Sequence, residues 1–249
     1  MTRTFKVLSA LLTYPTAAIV AAVPAMAEVL RKEGLVPRRQ RDRLEVLLDE
    51  LVTLDLYDLQ ERYGLLFDRT RSLSLHLFEH VHGESRDRGQ AMVDLMQVYE
   101  KAGMAIGARE LPDYLPLFLE FLSAQPLSES LELLSQPAHI FAALADRLRK
   151  RKSTYHSVLD ALAKLADANP RSAAVQQLIA LPDDDPNDLE VLDAQWMDEE
   201  VRFGPGAQDQ CGKDGLVPRL RAATRSAPGL EPARKGPRTI VTHSPSRTR

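Results

Sequence analysis

Cysteine is nearly missing from this chain. Cys211 stands alone among 249 residues, which excludes an internal disulfide and any multi-cysteine zinc or iron–sulfur site. Aromatic residues are scarce as well, at 6%, and β-branched residues are sparse beside Leu and Ala. That balance favours helices over strands. No apolar run reaches the roughly 18 residues that would suggest a membrane span. There is no G-x-G-x-x-G loop, no Walker lysine loop and no alternation of strand and helix patterns, which argues against the common nucleotide-binding folds. Convincing internal repeats are absent too.

What is present suits a soluble helical protein. Hydrophobic residues make up 44% of the chain, enough for a core, and 27% charged residues is ordinary. The net charge of -3 is unevenly spread. From Gly204 onward, nine Lys or Arg face only Asp209, Asp214 and Glu231, so the rest of the chain is more acidic than the total suggests. An acidic body argues against nucleic acid as the main partner, because phosphate binding needs positive charge. It suits a basic or neutral peptide better.

Helical spacing runs almost throughout. Phe5, Leu8, Leu11 and Leu12 mark a first short helix. Ile19, Val23, Met26, Ala27 and Leu30 mark a second, stopped at Gly34. Pro37 opens a third with Leu44, Leu47, Leu48 and Leu51 inward. Asp55 caps a fourth carrying Leu59, Tyr63, Leu66 and Phe67. Asp87 and Gln90 resemble a capping box before a helix bearing Met92, Leu95, Met96 and Tyr99, which ends near Gly103. Pro112 begins another, with Leu115, Phe118, Leu119 and Leu122 inward. Further helices are expected around Ile140 to Leu148, Val158 to Leu165 and Ala173 to Leu181. The spacing predicts an all-α, single-domain multi-helix bundle over 1–182. An acidic segment follows at 183–203, with nine carboxylates and Leu189, Leu192, Trp196 and Val201 spaced through it, as in a final amphipathic helix or a docking segment. The Pro-, Gly-, Ser- and Arg-rich tail 204–249 reads as disordered, a solubilising extension more than a contact for anionic lipid or nucleic acid.

The N-terminus has two readings. Arg3 and Lys6 before an apolar stretch, with Ala25-Met26-Ala27 beyond, resemble a secretory signal. Tyr14-Pro15 breaks that stretch, and the helical spacing of Phe5 to Leu12 points instead to a retained helix.

Ser72 to Met92 is the densest chemical segment, with His76, His80 and His82, three carboxylates and two arginines. Burying such groups unpaired costs several kcal/mol or forces a pKa shift. His76-Leu77-Phe78-Glu79-His80 matches H-x-x-E-H. On one helical face the histidines would hold zinc and Glu79 would serve as base, which makes a zinc-dependent hydrolase the alternative reading. The third ligand such a site needs is not evident, and local hydrogen bonding explains the residues more simply. A pH-dependent surface ranks between the two. Arg86 and Arg88 would either grip a carboxylate or phosphate or clamp Glu79 or Glu84 across a turn.

Together these segments resemble a known family. Leu77 to Leu95, LFEHVHGESRDRGQAMVDL, is closely similar to the signature of the NarJ-type respiratory nitrate reductase assembly chaperones, also called the delta subunit of that enzyme. Leu11 to Pro15, Tyr63 to Asp68, Arg109 to Pro116 and Leu192 to Trp196 agree in order and spacing, so the likeness spans roughly residues 5 to 203. His76 departs from the pattern, where an aliphatic residue is usual.

The resemblance implies a non-enzymatic, all-helical cytoplasmic chaperone without a cofactor of its own. It would bind the N-terminal segment of the catalytic (alpha) subunit of a respiratory nitrate reductase. It would hold that subunit until the molybdenum cofactor is inserted, delay membrane attachment without inserting itself, and be absent from the finished enzyme. A cleft lined by Tyr63, Phe67, Phe78 and Tyr114 would take an amphipathic helix, lined or braced by Glu79, His80, His82, Arg86 and Asp113.

Overall fold

A computed structural model describes residues 2–82, 86–107, 110–181, 183 and 238–240. For His82, Arg86 and 238–240 it describes the backbone alone. The described residues form eleven α-helices and one short strand pair. The expected acidic segment and tail otherwise lie outside them, as does Arg109.

The first three helices are α1 (Arg3–Leu11), α2 (Ala17–Glu33) and α3 (Arg38–Thr53). Thr16 caps α2, and Gly34, at φ 61°, ends it in the left-handed conformation a side chain resists. Glu33 then reaches back to α1. Its carboxylate accepts from the Arg3 and Thr4 amides at 2.9 and 2.8 Å and from Thr4 Oγ1 at 2.7 Å. An acid at a helix N-terminus satisfies orphan N–H groups and complements the dipole. Burial works against its charge, but the Thr4 and Arg3 bonds prevail and hold the Glu33 pKa below its ordinary value.

Asp55 caps α4 (Leu56–Tyr63), accepting from the Tyr57 amide at 2.8 Å. The helix then loosens into a π-turn (Gly64–Asp68) and a 3₁₀ turn (Arg71–Leu73). Next come α5 (Glu79–His82) and α6 (Arg86–Lys101). Because α6 starts at Arg86, Asp87 lies within its first turn, and the Gln90 amide donates to Asp94 at 3.0 Å rather than closing a capping box. Met96, expected inward, is exposed; Ala91, Leu95, Val98 and Tyr99 form the buried stripe.

Gly103, at φ 74°, turns the chain into β1 (Met104–Ile106). The next helix, α7 (Leu115–Ala124), starts three residues later than Pro112 suggested. It is buried on every side, from Leu115, Leu117 and Phe118 to Phe121 and Leu122, as a central core helix should be. Around it lie α8 (Leu127–Ser135), α9 (Ala138–Lys150), α10 (His156–Leu165) and α11 (Ala173–Ala180). The sequence reading passed over α8, whose inner face is only Ser130, Leu133 and Leu134. The main packings are α9 on α10 and α11, α1 on α7 and α2, and α3 on α2 and α10. Residues Arg238–Ile240 form β2, parallel to β1.

Candidate functional site

The histidine-rich segment is not one helix. His76 sits in an extended bridge opposite Tyr114, and the helix begins only at Glu79. The shared helical face on which zinc binding by His76 and His80 depends is therefore not formed. The cause is a stitch between distant segments. Leu77 N donates to Asp113 O at 3.0 Å and Leu115 N to Leu75 O at 2.8 Å, pinning 75–77 beside 113–115.

Asp113 is the knot of that stitch. It is fully buried; one carboxylate oxygen accepts from the Phe78 amide at 3.1 Å and the other lies 3.2 Å from His76 Nδ1. Burial opposes a charge on His76, but the bond to Asp113 and its negative charge, aided by Glu79, outweigh it and raise the His76 pKa. Tyr99, in the core, donates to Pro112 O at 2.8 Å and fixes the approach to Asp113.

His80 takes the opposite setting. Its Nε2 lies 2.8 Å from the Ser74 carbonyl, which only accepts, so the ring fits with its proton on Nε2. Burial lowers its pKa; the Ser74 bond works against that shift and the charge of Arg147 with it. Glu79 meets Arg88 Nη2 at 2.9 Å, joining α5 to α6 as the structural reading of that arginine expected. The side chains of His82 and Arg86 lie outside the described residues. Among the described residues, no group of three or more His, Cys, Asp or Glu is placed to hold a metal ion.

Of the four aromatic residues expected to line a cleft, three are buried and Tyr114 is half-buried. Tyr63, Phe67 and Phe78 are core side chains. Tyr63 donates to Leu12 O at 2.9 Å and lies 3.4 Å from the Tyr114 hydroxyl. Its ring sits 4.9 Å from Phe67, which meets Tyr155 edge-on at 5.2 Å. Burial pushes the Tyr114 hydroxyl up to about 12, despite its bond to Tyr63. Tyr14, Tyr63, Phe67 and Tyr155 thus pack ring against ring, with edges meeting faces as aromatic quadrupoles favour.

An open apolar surface exists elsewhere. Between α1 and α2 runs a groove of about 370 Å³ lined by Val7, Ala10, Ala22, Ala25, Met26 and Val29. Arg3, Lys6 and Ser123 edge it. Lys6 meets Glu120 at 3.4 Å, and Glu33 lies against Arg3, so the rim carries both signs. Sequence reasoning missed the groove because alanines at Ala22 and Ala25 look like ordinary helix formers; their small size is what leaves the space.

Arg147 was missed as well. Only 3% exposed, it donates from Nη1 to Ser72 O and from Nη2 to Leu178 O, both at 2.6 Å. One guanidinium thus ties α9 to the 3₁₀ turn before the histidines and to α11. None of the described helices is long and apolar enough to cross a membrane.

Comparison with known proteins gives this architecture its family. A family model described as "Nitrate reductase delta subunit" matches residues 36–161. The chain is 44% identical over 217 residues to the nitrate reductase molybdenum cofactor assembly chaperone NarJ of Escherichia coli K12, covering 86% of this chain and 90% of that protein. It is 44% identical over 166 residues to the probable assembly chaperone NarW of the same organism, covering 67% and 71%. To the probable NarJ chaperone of Bacillus subtilis it is 30% identical over 177 residues, covering 70% and 95%. The chain belongs to the nitrate reductase delta subunit family.

Proposed function

We propose that this protein is a dedicated assembly chaperone for the catalytic (alpha) subunit of a respiratory nitrate reductase. It binds that subunit in the cytoplasm through its N-terminal segment. It keeps the subunit open for molybdenum cofactor insertion, delays its attachment to the membrane, and leaves before the enzyme is complete. The observation that carries this reading is the 44% identity maintained over 90% of a relative named for cofactor assembly. We assign the work to residues 1–182.

The physical features support the same reading. An amphipathic leader helix needs an apolar trough for one face, and the α1–α2 groove offers one with alanine walls. The acidic body raises the local concentration of a basic leader and speeds its capture. Asp113, His76, Glu79 and His80 act as braces in this account. They fix the 74–79 segment to the start of α7, against which α1 packs. The groove then keeps its shape without a bound partner, which lowers the ordering cost of binding.

The test is genetic and chemical. In a host lacking the gene, the catalytic subunit should accumulate with little molybdenum, and the full-length chain should restore the metal content. Normal molybdenum content without the gene would refute the assignment.

A further inference from the structure

The start of α3 and the end of α9 are far apart in sequence and share one acid. Arg43 Nη1 donates to Asp160 Oδ2 at 3.1 Å, and Arg149 Nη2 donates to Asp160 Oδ1 at 2.7 Å. A single carboxylate on α10 thus draws two guanidinium groups together, with His156 Nδ1 at 3.1 Å beside them. Two runs of cations come with that pair. Residues 38–43 read RRQRDR, and residues 147–152 read RLRKRK.

Most of these charges face solvent. Arg147 is buried and Arg151 holds Asp183. The rest of that run, Arg149, Lys150 and Lys152, is exposed. On α3, Arg38 and Arg39 are exposed while Arg41 and Arg43 are half-buried. Within these two stretches the seven cations have only Asp42, Asp146 and Asp160 against them. Asp146 is divided between Arg149 at 3.7 Å and Lys150 at 2.9 Å, and Asp42 comes no nearer to Arg38 than 3.9 Å. A positive face therefore stands on a chain whose net charge is -3.

Helix electrostatics explains only half of it. The cations of α9 complement the negative end of its dipole. Arg38, Arg39 and Arg41 crowd the positive end of α3, whose first turn holds no acid. Like charges placed against the dipole weaken a helix until an anion meets them.

We propose that this face docks the protein on an anionic lipid surface, by charge alone and without insertion. The cations sit on long stems at the ends of two helices, spread out and not gathered around a cavity. A field of mobile headgroups adapts to such a spread, whereas a single peptide would have to match it. Each cation near such a surface strengthens binding about fivefold, and the attraction fades with salt. This contact is separate from the α1–α2 groove and does not depend on what that groove binds.

Cosedimentation of the full-length protein with vesicles of phosphatidylglycerol and phosphatidylcholine at low salt tests this. Wild type should bind these vesicles, release them as salt is added and ignore pure phosphatidylcholine. The variant Arg39→Gln, Arg41→Gln, Lys150→Gln, Lys152→Gln leaves the Asp160 contacts in place and should bind at least about twentyfold more weakly. Asp42→Asn with Glu45→Gln, which removes two exposed acids from α3, should bind more tightly than wild type. A control with four tail cations neutralised, Arg219→Gln, Arg221→Gln, Arg225→Gln, Arg234→Gln, should keep most of the binding. No binding by wild type, equal binding to the neutral vesicles, or equal binding by the α3–α9 variant would overturn the proposal. Loss in the tail control alone would overturn it too. Capture by polyglutamate or RNA but not by vesicles would identify a different polyanion and overturn the lipid assignment.

Discussion

Asp113 holds His76 from the far side of a core helix start, carboxylate oxygen to Nδ1 at 3.2 Å, with the acid wholly buried. Its second oxygen accepts from the Phe78 amide, so one side chain fixes both the backbone and the histidine of the segment facing it. Replacing Asp113 with Ala leaves that buried amide without an acceptor and removes two charge-assisted bonds. We expect a loss of about 3 kcal/mol in urea unfolding, and a loss below about 1 kcal/mol would show that the stitch is dispensable.

His76 and His80 should respond to pH in opposite senses. The His76 pKa is raised above its ordinary 6.5, so its stabilisation is complete below that value and fades as pH rises through the raised one. The His80 pKa is lowered, so its contribution is complete above 6.5 and fades as pH falls. Relative to wild type, His76→Gln should therefore become steadily more stable from about pH 5.5 to 8, and His80→Gln should show the reverse trend. Urea midpoints at three pH values are sufficient, and parallel profiles would contradict the two settings.

Arg147 should not tolerate replacement by another cation. Lys keeps the charge but cannot reach Ser72 O and Leu178 O at once, because it lacks the planar fork. Arg147→Lys should cost about 2 kcal/mol, and Arg147→Met no less, since both leave buried carbonyls unmet. A Lys variant as stable as wild type would mean that the guanidinium does not organise α9 and α11.

Filling the groove should separate binding from folding. Ala25 is exposed on the groove wall. Ala25→Trp should leave the melting temperature within about 2 °C, as for most surface changes. Affinity for the client's N-terminal peptide should fall at least about tenfold. Unaltered affinity would move the peptide site elsewhere, with the side chains of His80 and His82 the next to replace by Ala.

The helices were legible because their signals are local. Periodicity, the Gly34 stop and the Asp55 cap each lie within a few residues of what they determine. The zinc alternative for the histidine segment fails for the opposite reason. His76 to His80 has helical spacing, but Asp113 takes the Phe78 amide and His76 together across a long sequence separation, and no spacing rule reports that. Tyr63 and Phe67 stood out in the sequence as candidates to line a cleft and are buried in the structure; cleft and core residues share one composition, so sequence alone does not separate the two settings. The short strand at 238–240 had a signal in Thr239 to Thr242, masked by the polarity around it.

The central claim is that the chain recognises the N-terminus of the catalytic subunit. Calorimetry of the full-length protein with a synthetic peptide copying that N-terminus tests it most directly. The account predicts saturable one-to-one binding at micromolar or tighter affinity, lost when the peptide's apolar face is replaced by Ser. No binding at peptide concentrations up to about 100 µM, or equal binding of the Ser-substituted peptide, would contradict it.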